Sequence, residues 1–292
     1  MSISTREITA TRAAASNLSR LLPGDPGRPL TTSRAHARVG RGAAAVLLGV
    51  WFALPLLPLA LWAVADRWSY PAVIPTAWGV EGMITAISSG GAPALGRSVL
   101  LGVAVAAIAT PIGAIAARGL SSGWAPFPRT LTALLFAPVA LPPFAAILGT
   151  NVILLRAHVP ALLGLVMVLV VIALPYTTFT LRAAYAAHDV GYEEEARTLG
   201  ASRPYVLWRV HIPLMAPALA RAAFLAFLVG WSDYIVTLII GGGQLVTLPM
   251  ITASAAAGIG NDPVVAVLSL AAVLPPLVLL IVLARSGTQG HP

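Results

Sequence analysis

The sequence predicts an all-α membrane protein that crosses the bilayer six times, with both termini on the cytoplasmic side. Three observations carry that reading. Hydrophobic residues make up 58% of the chain and charged residues 10%, with a mean hydropathy of +0.87, a composition far from that of soluble domains. Six apolar runs, at about 43–65, 98–117, 130–150, 159–181, 214–240 and 264–284, approach the ~20 residues a helix needs to traverse a hydrocarbon core. Arginine is unevenly distributed around those runs. The short alternating segments of an outer-membrane barrel are not visible.

Residues 1–42 hold seven arginines (Arg6, Arg12, Arg20, Arg28, Arg34, Arg38 and Arg41) among Ser, Thr, Pro and Gly, and predict a disordered cytoplasmic tail ahead of a transmembrane domain over 43–288. Ala63-Val64-Ala65 imitates a signal-peptide cleavage site, but the basic region and the apolar run before it are both too long, so the first segment is read as an anchor. The stretch that follows, "DRWSYPAVIPTAWGVEGMITAISSGG", mixes tryptophan, tyrosine and proline as a linker lying along the headgroup zone would. Prolines punctuate the crossings: Pro55 and Pro58, Pro111, Pro138 with Pro142-Pro143, Pro175, Pro217, and Pro275-Pro276. Each removes a helical hydrogen bond that protein or water must replace. Such breaks suit a bundle bent around a pathway and a static bundle alike.

With the N-terminus inside, fourteen arginines face the cytoplasm, three (Arg67, Arg97 and Arg156) lie outside, and Arg221 falls within the fifth run, where it reads as a snorkelling interfacial residue. Topology therefore accounts for the net charge of +8, and nucleic acid is not an expected partner. The absence of cysteine excludes disulfides, thiolate catalysis and cysteine-held metals. Five scattered histidines predict no metal site, and "GGGQ" at 241–244 lacks the surroundings of a phosphate-binding loop, so no cofactor is expected in this chain. The outer loops are too short for a ligand-binding domain. Capture of a solute must be delegated to another protein.

The densest charged stretch, "YEEEARTLGASRPYVLWRVHIP", falls on the cytoplasmic side between the fourth and fifth crossings, in a loop spanning 182–211. A helix is expected over about 183–199, including Asp189, with Glu193, Glu194 and Glu195 one turn before Arg197. Gly200 fits the left-handed position that ends a helix, and Ser202 reads as the N-cap of a second one, with Pro204 in its first turn. That second helix carries Tyr205 and Trp208 beside Arg203 and Arg209, and Pro213 is expected to end it. Its large amphipathic side chains suit a pocket on another protein; a plain solvated loop is the competing reading.

At these residues the chain resembles the permease subunits of type I ATP-binding cassette importers. Their signature is Glu-Ala-Ala, three residues, Gly, nine residues, then Ile-x-Leu-Pro. Here the corresponding residues are Glu194-Glu195-Ala196, Gly200, and Val210-His211-Ile212-Pro213. Glu195 replaces the first alanine and brings an extra charge, whereas Val210 and Ile212 are aliphatic exchanges. The resemblance extends over about 95–285. It implies the type I importer permease fold in a bacterial inner membrane, a second permease subunit, identical or homologous, two ATPase subunits that bind ATP and magnesium, and an extracytoplasmic solute-binding protein. The chain itself would be non-catalytic. Asp189, Glu193, Glu194, Glu195, Ala196, Arg197, Gly200, Ser202, Pro204, Tyr205, Trp208 and Pro213 would then form the segment that couples to the ATPase.

Asp233 is the only acid within a crossing, roughly 18 Å along the fifth at ~1.5 Å per residue. It is a candidate pathway contact, with Trp231, Ser232 and Tyr234, or a hydrogen-bonded structural partner. Tyr176, with the threonines after Pro175, could line a cavity or satisfy the backbone that the proline frees. A self-sufficient secondary transporter would need an internal repeat or several membrane acids, and a membrane enzyme would need a catalytic constellation; neither is visible. The expected cargo is a small polar solute, of the polyamine, thiamine or iron group ahead of sugars on family likeness.

Overall fold

The computed structural model describes residues 31–68, 71–187 and 191–288, with side chains from 42 to 285 within those ranges. The chain divides into two compact units at Pro55. The first unit holds helix α1 (Thr31–Ala53). Its start at Thr31 lies twelve residues before the boundary expected at 43, so the last part of the predicted tail is helical; residues 1–30 lie outside the described residues.

The second unit begins with α2 (Leu56–Ala63) and a small antiparallel ladder of β1 (Ala65–Arg67) with β2 (Ala77–Trp78), in which Ala65 pairs with Trp78 and Arg67 with Ala77. The stretch expected to be a plain linker is thus structured. Trp62 stacks on Trp68 with ring centroids 4.7 Å apart, and the carboxylate of Asp66 accepts the Glu81 N–H at 3.0 Å at the start of α3 (Glu81–Ser88).

Three long helices make the centre of this unit: α4 (Gly91–Ser121), α7 (Ala161–Ala186) and α10 (Ile212–Ser232). They pack through small residues, as helices in lipid must when no hydrophobic difference drives them together. A Cβ on Gly230 of α10 would sit 2.9 Å from the Cα of Gly102 on α4, and one on Gly113 of α4 would collide with the hydroxyl of Thr177 on α7. Alanine would push either pair apart. The Thr177 hydroxyl donates to the Leu174 carbonyl at 3.0 Å and lies 3.3 Å from the Ala109 carbonyl of α4, tying the two helices by a polar contact. The core on this seam contains Leu101, Val105, Leu165, Leu169 and Ala226.

Between α4 and α7 lie α5 (Pro128–Ala140) and α6 (Pro143–Arg156), and here the expected crossing over 130–150 is not one helix. The two halves meet at 103°. Leu141 is extended, as a residue before proline prefers, and Pro142-Pro143 withdraw two consecutive N–H donors from the ladder. The fifth run, expected over 214–240, also breaks: α10 stops at Ser232 and a five-residue helix α11 (Ile235–Ile239) follows. Next come α12 (Leu248–Ala256), whose first N–H is held by the buried Ser98 hydroxyl at 2.8 Å, and α13 (Asp262–Thr288), unbroken through Pro275-Pro276.

Among the described residues, four helices are long and apolar enough to cross a membrane alone: 91–121, 161–186, 203–232 and 262–285. The pairs 42–53 with 56–63 and 128–140 with 143–156 reach that length only together, and make six if each is one span.

Candidate functional site

The charged segment between α7 and α10 folds as two short helices. The first, α8 (Gly191–Thr198), is shorter than the helix expected over 183–199, because α7 itself runs to Ala186; Asp189 lies outside the described residues. A Schellman motif ends α8: Ala201 N–H donates to the Ala196 carbonyl and Gly200 N–H to the Arg197 carbonyl, both at 3.0 Å. Gly200 has φ +88°, as that motif demands.

The second helix, α9 (Arg203–Val206), has Pro204 in its first turn as expected. Ser202 has the extended backbone of an N-cap, but its hydroxyl makes no capping bond. Pro213 does not end the helix. The chain continues through a π turn at Leu207–His211 directly into α10, giving one 30-residue helix from Arg203 to Ser232. Proline cannot donate to the preceding turn, and the ladder widens immediately before it.

Glu193 is the inward-facing acid of its trio, 8% exposed, whereas Glu194 and Glu195 face outward. One Glu193 oxygen accepts from Arg118 Nη2 at 2.7 Å, in the last turn of α4; the other accepts from His211 Nδ1 at 2.6 Å. His211 Nε2 lies 2.9 Å from the Tyr185 hydroxyl near the end of α7, and the two rings stack with centroids 5.5 Å apart. An ionised carboxylate can only accept, so Nδ1 carries the proton in its bond, and in the neutral ring Nε2 accepts from tyrosine. Burial works to raise the Glu193 pKa, but the hydrogen bond from His211 and the Arg118 charge outweigh it and hold the carboxyl below its ordinary value. The cluster joins four elements.

The sequence reading included Glu193 but missed Arg118, Tyr185 and His211. It also paired the acids with Arg197, whereas among the described residues no ion pair joins Arg197 to them and Arg118 takes Glu193. The opposite face of the segment is open: Tyr205 is 57% and Trp208 68% exposed, flanked by exposed Arg203 and Arg209, while Val206 between them is buried.

The five pathway candidates are not brought to one place. The Asp233 carboxylate accepts from Val236 N–H at 3.3 Å, Thr237 N–H at 2.7 Å and the Thr237 hydroxyl at 2.8 Å, and so caps α11. Trp231 is buried, donates to the Ala272 carbonyl at 3.0 Å and, with Ser232, borders an apolar cleft of about 820 Å³ between α10, α12 and α13. Asp233, Tyr234 and Tyr176 do not line that cleft. The Ser232 hydroxyl donates to the Leu228 carbonyl at 2.7 Å, and Tyr176 and Tyr234 are exposed. No group of His, Asp and Glu among the described residues could hold a metal ion.

A bundle of apolar helices closely packed on glycine, with a charged segment pinned to its helix ends, is the architecture of a multi-pass membrane protein. Residues 109–287 match the family of binding-protein-dependent transport system inner membrane components, and the chain belongs to that family. It is a multi-pass permease subunit of an ATP-binding cassette importer in a bacterial inner membrane. It is 31% identical over 202 residues to a protein named as ABC transporter permease ORF1 of Streptomyces antibioticus, covering 66% of this chain and 86% of that one. It is 27% identical to the molybdenum transport permease ModB of Mycobacterium tuberculosis, over 69% of this chain and 77% of ModB. Shorter matches include the spermidine/putrescine permease PotC of Escherichia coli, 30% identical over 40% of this chain and 46% of PotC. In fold it is similar to a chain of a bacterial ABC transporter that imports alginate, with a TM-score of 0.63 at 14% identity over 89% of this chain and 99% of that chain.

Proposed function

We propose that the segment 191–211 is the part of this importer subunit that an ATPase subunit engages, and that the end of the bundle carrying it faces the cytoplasm. The observation that supports this is the division of labour within the segment. Its buried side is fastened to the helix ends through Glu193, while Tyr205 and Trp208 project together at i,i+3 with little packed against them. Large exposed aromatics flanked by arginine on a rigid support are what a protein pocket binds. ATP and magnesium belong to the ATPase partners. Closure of those subunits moves the segment and switches the pathway, formed with a second permease subunit, between inward-open and outward-open states. An extracytoplasmic binding protein delivers the solute. The tail and transmembrane domain keep the division at residue 43, with the helix of the tail's last residues as an extension of the first crossing.

For cargo, we infer a small polar solute, with polyamine, thiamine and iron-type solutes ahead of sugars. The partial likeness to a spermidine/putrescine permease supports the first of these, a comparable partial likeness to a diacetylchitobiose permease keeps sugars among the solutes that must be tried, and the longer likeness to a molybdenum permease adds oxyanions. The experiment is ATPase activity of the reconstituted complex with its binding protein across those solute classes, for wild type and Gly200→Pro. One solute is expected to stimulate wild type, and the variant is expected to lose that stimulation while staying assembled. Solute movement driven by an ion gradient, without ATP, would favour a secondary transporter and overturn this reading.

A further inference from the structure

The Glu193 cluster has more connections than a loop needs merely to stay folded. The Schellman motif and the backbone ladder already hold α8 and α9 locally. Glu193 adds bonds to residues 75 and 18 positions away, and the chain of contacts ends on Tyr185. Its partners sit at the ends of α4 and α7 and at the π turn that leads into α10. These are the same three helices that pack through Gly102, Gly113 and Gly230.

We propose that Glu193 is a positioning residue for coupling: with Arg118 and His211 it locks α8 to the ends of α4, α7 and α10, so that displacement of the Tyr205/Trp208 face moves three central helices as one body. This rests on the reading that an ATPase subunit engages that face. Without the lock, the segment can tilt on its own. The push is then absorbed in the loop. The π turn is where that tilt would be taken up, since a widened turn before a proline has no full ladder to resist bending. A buried carboxylate that accepts two charge-assisted hydrogen bonds resists such displacement better than neutral contacts would.

The test uses the complete reconstituted complex with binding protein and the solute that stimulates it. Solute transported per ATP hydrolysed is measured for wild type, Arg118→Gln, Glu193→Gln and the double variant, alongside photocrosslinking from a benzophenone side chain at position 208 to the ATPase subunit. Each single variant is expected to lower the transport-to-ATP ratio by about tenfold, the scale of one charge-assisted hydrogen bond, with the crosslink retained. The double variant is expected to fall no further, because the two residues act as a unit. Arg118→Lys, which keeps the charge, is expected to stay within about twofold of wild type. A ratio unchanged in Glu193→Gln with the crosslink intact overturns the proposal, as does a loss of transport that simply tracks a loss of assembled complex. Absence of the crosslink in the otherwise wild-type complex overturns the docking reading and the proposal with it.

Discussion

Glu193 and Asp233 are two acids that the fold draws away from solvent, and they use their carboxylates in opposite ways. Asp233 spends its oxygens on Val236 and Thr237, three and four residues ahead, and closes the start of a five-residue helix. Glu193 reaches Arg118 and His211 and ties α8 to helix ends formed far away in sequence. A locally satisfied acid repairs a break; a distantly satisfied acid transmits force across one. On the proposal above, a change at the turn beside Asp233 stays local, whereas displacement of α8 is passed to the helix ends that Glu193 holds.

Removing the two side chains separates these roles most sharply. Glu193→Ala leaves the Arg118 and His211 donors facing an emptied site and is expected to cost about 2–3 kcal/mol, below the ~3–5 kcal/mol of a fully buried pair because Arg118 is partly in solvent. Thermal unfolding of the purified complex in detergent checks this. Asp233→Ala is expected to cost about 1 kcal/mol, the ordinary loss of an N-cap, and to leave the transport-to-ATP ratio within about twofold of wild type. A larger coupling defect in Asp233→Ala than in Glu193→Gln would reverse the comparison.

Gly200→Ala probes the segment without touching the cluster. There is open space around Gly200, so only its φ of +88° is strained by a side chain, and about 1 kcal/mol of local stability is expected to be lost. Hydrogen exchange at Gly200 and Ala201 should show that loss while exchange in α4 is unchanged. The smallest effect is in pH. The Glu193 pKa lies below its unfolded value, so its charge contributes stability that is complete above the ordinary glutamate range of ~4.3 and is lost as pH falls through the folded value. The gap in melting temperature between wild type and Glu193→Gln should accordingly narrow on acidification below about pH 4.3 and stay constant at higher pH.

What could be read in the sequence follows the same division between local and distant partners. Gly200 was legible because a Schellman motif is written in six consecutive residues. The role of Asp233 was half legible: the sequence offered a pathway contact or a hydrogen-bonded structural partner, and the structure bonds its carboxylate to Val236 and Thr237. Treating 214–240 as a single crossing gave that carboxylate no helix start to cap. Arg118 looked like one more inner-side positive charge, and His211 looked isolated among five scattered histidines. Their joint role depends on helix packing that no local spacing reveals. The acid trio does not single out Glu193, since adjacent glutamates on a short helix can all reach water; which one is buried depends on how α8 packs against α4 and α7. Pro142-Pro143 marked the bend between α5 and α6, but a composition window over 130–150 averages across it.

The most direct test of the central claim is photocrosslinking from position 208 in the complete importer, with position 233 as the comparison site. The account predicts a crosslink from 208 to the ATPase subunit that changes in yield on ATP binding, and none from 233. A crosslink from 208 to lipid alone, or equal ATPase crosslinking from both positions, would contradict it.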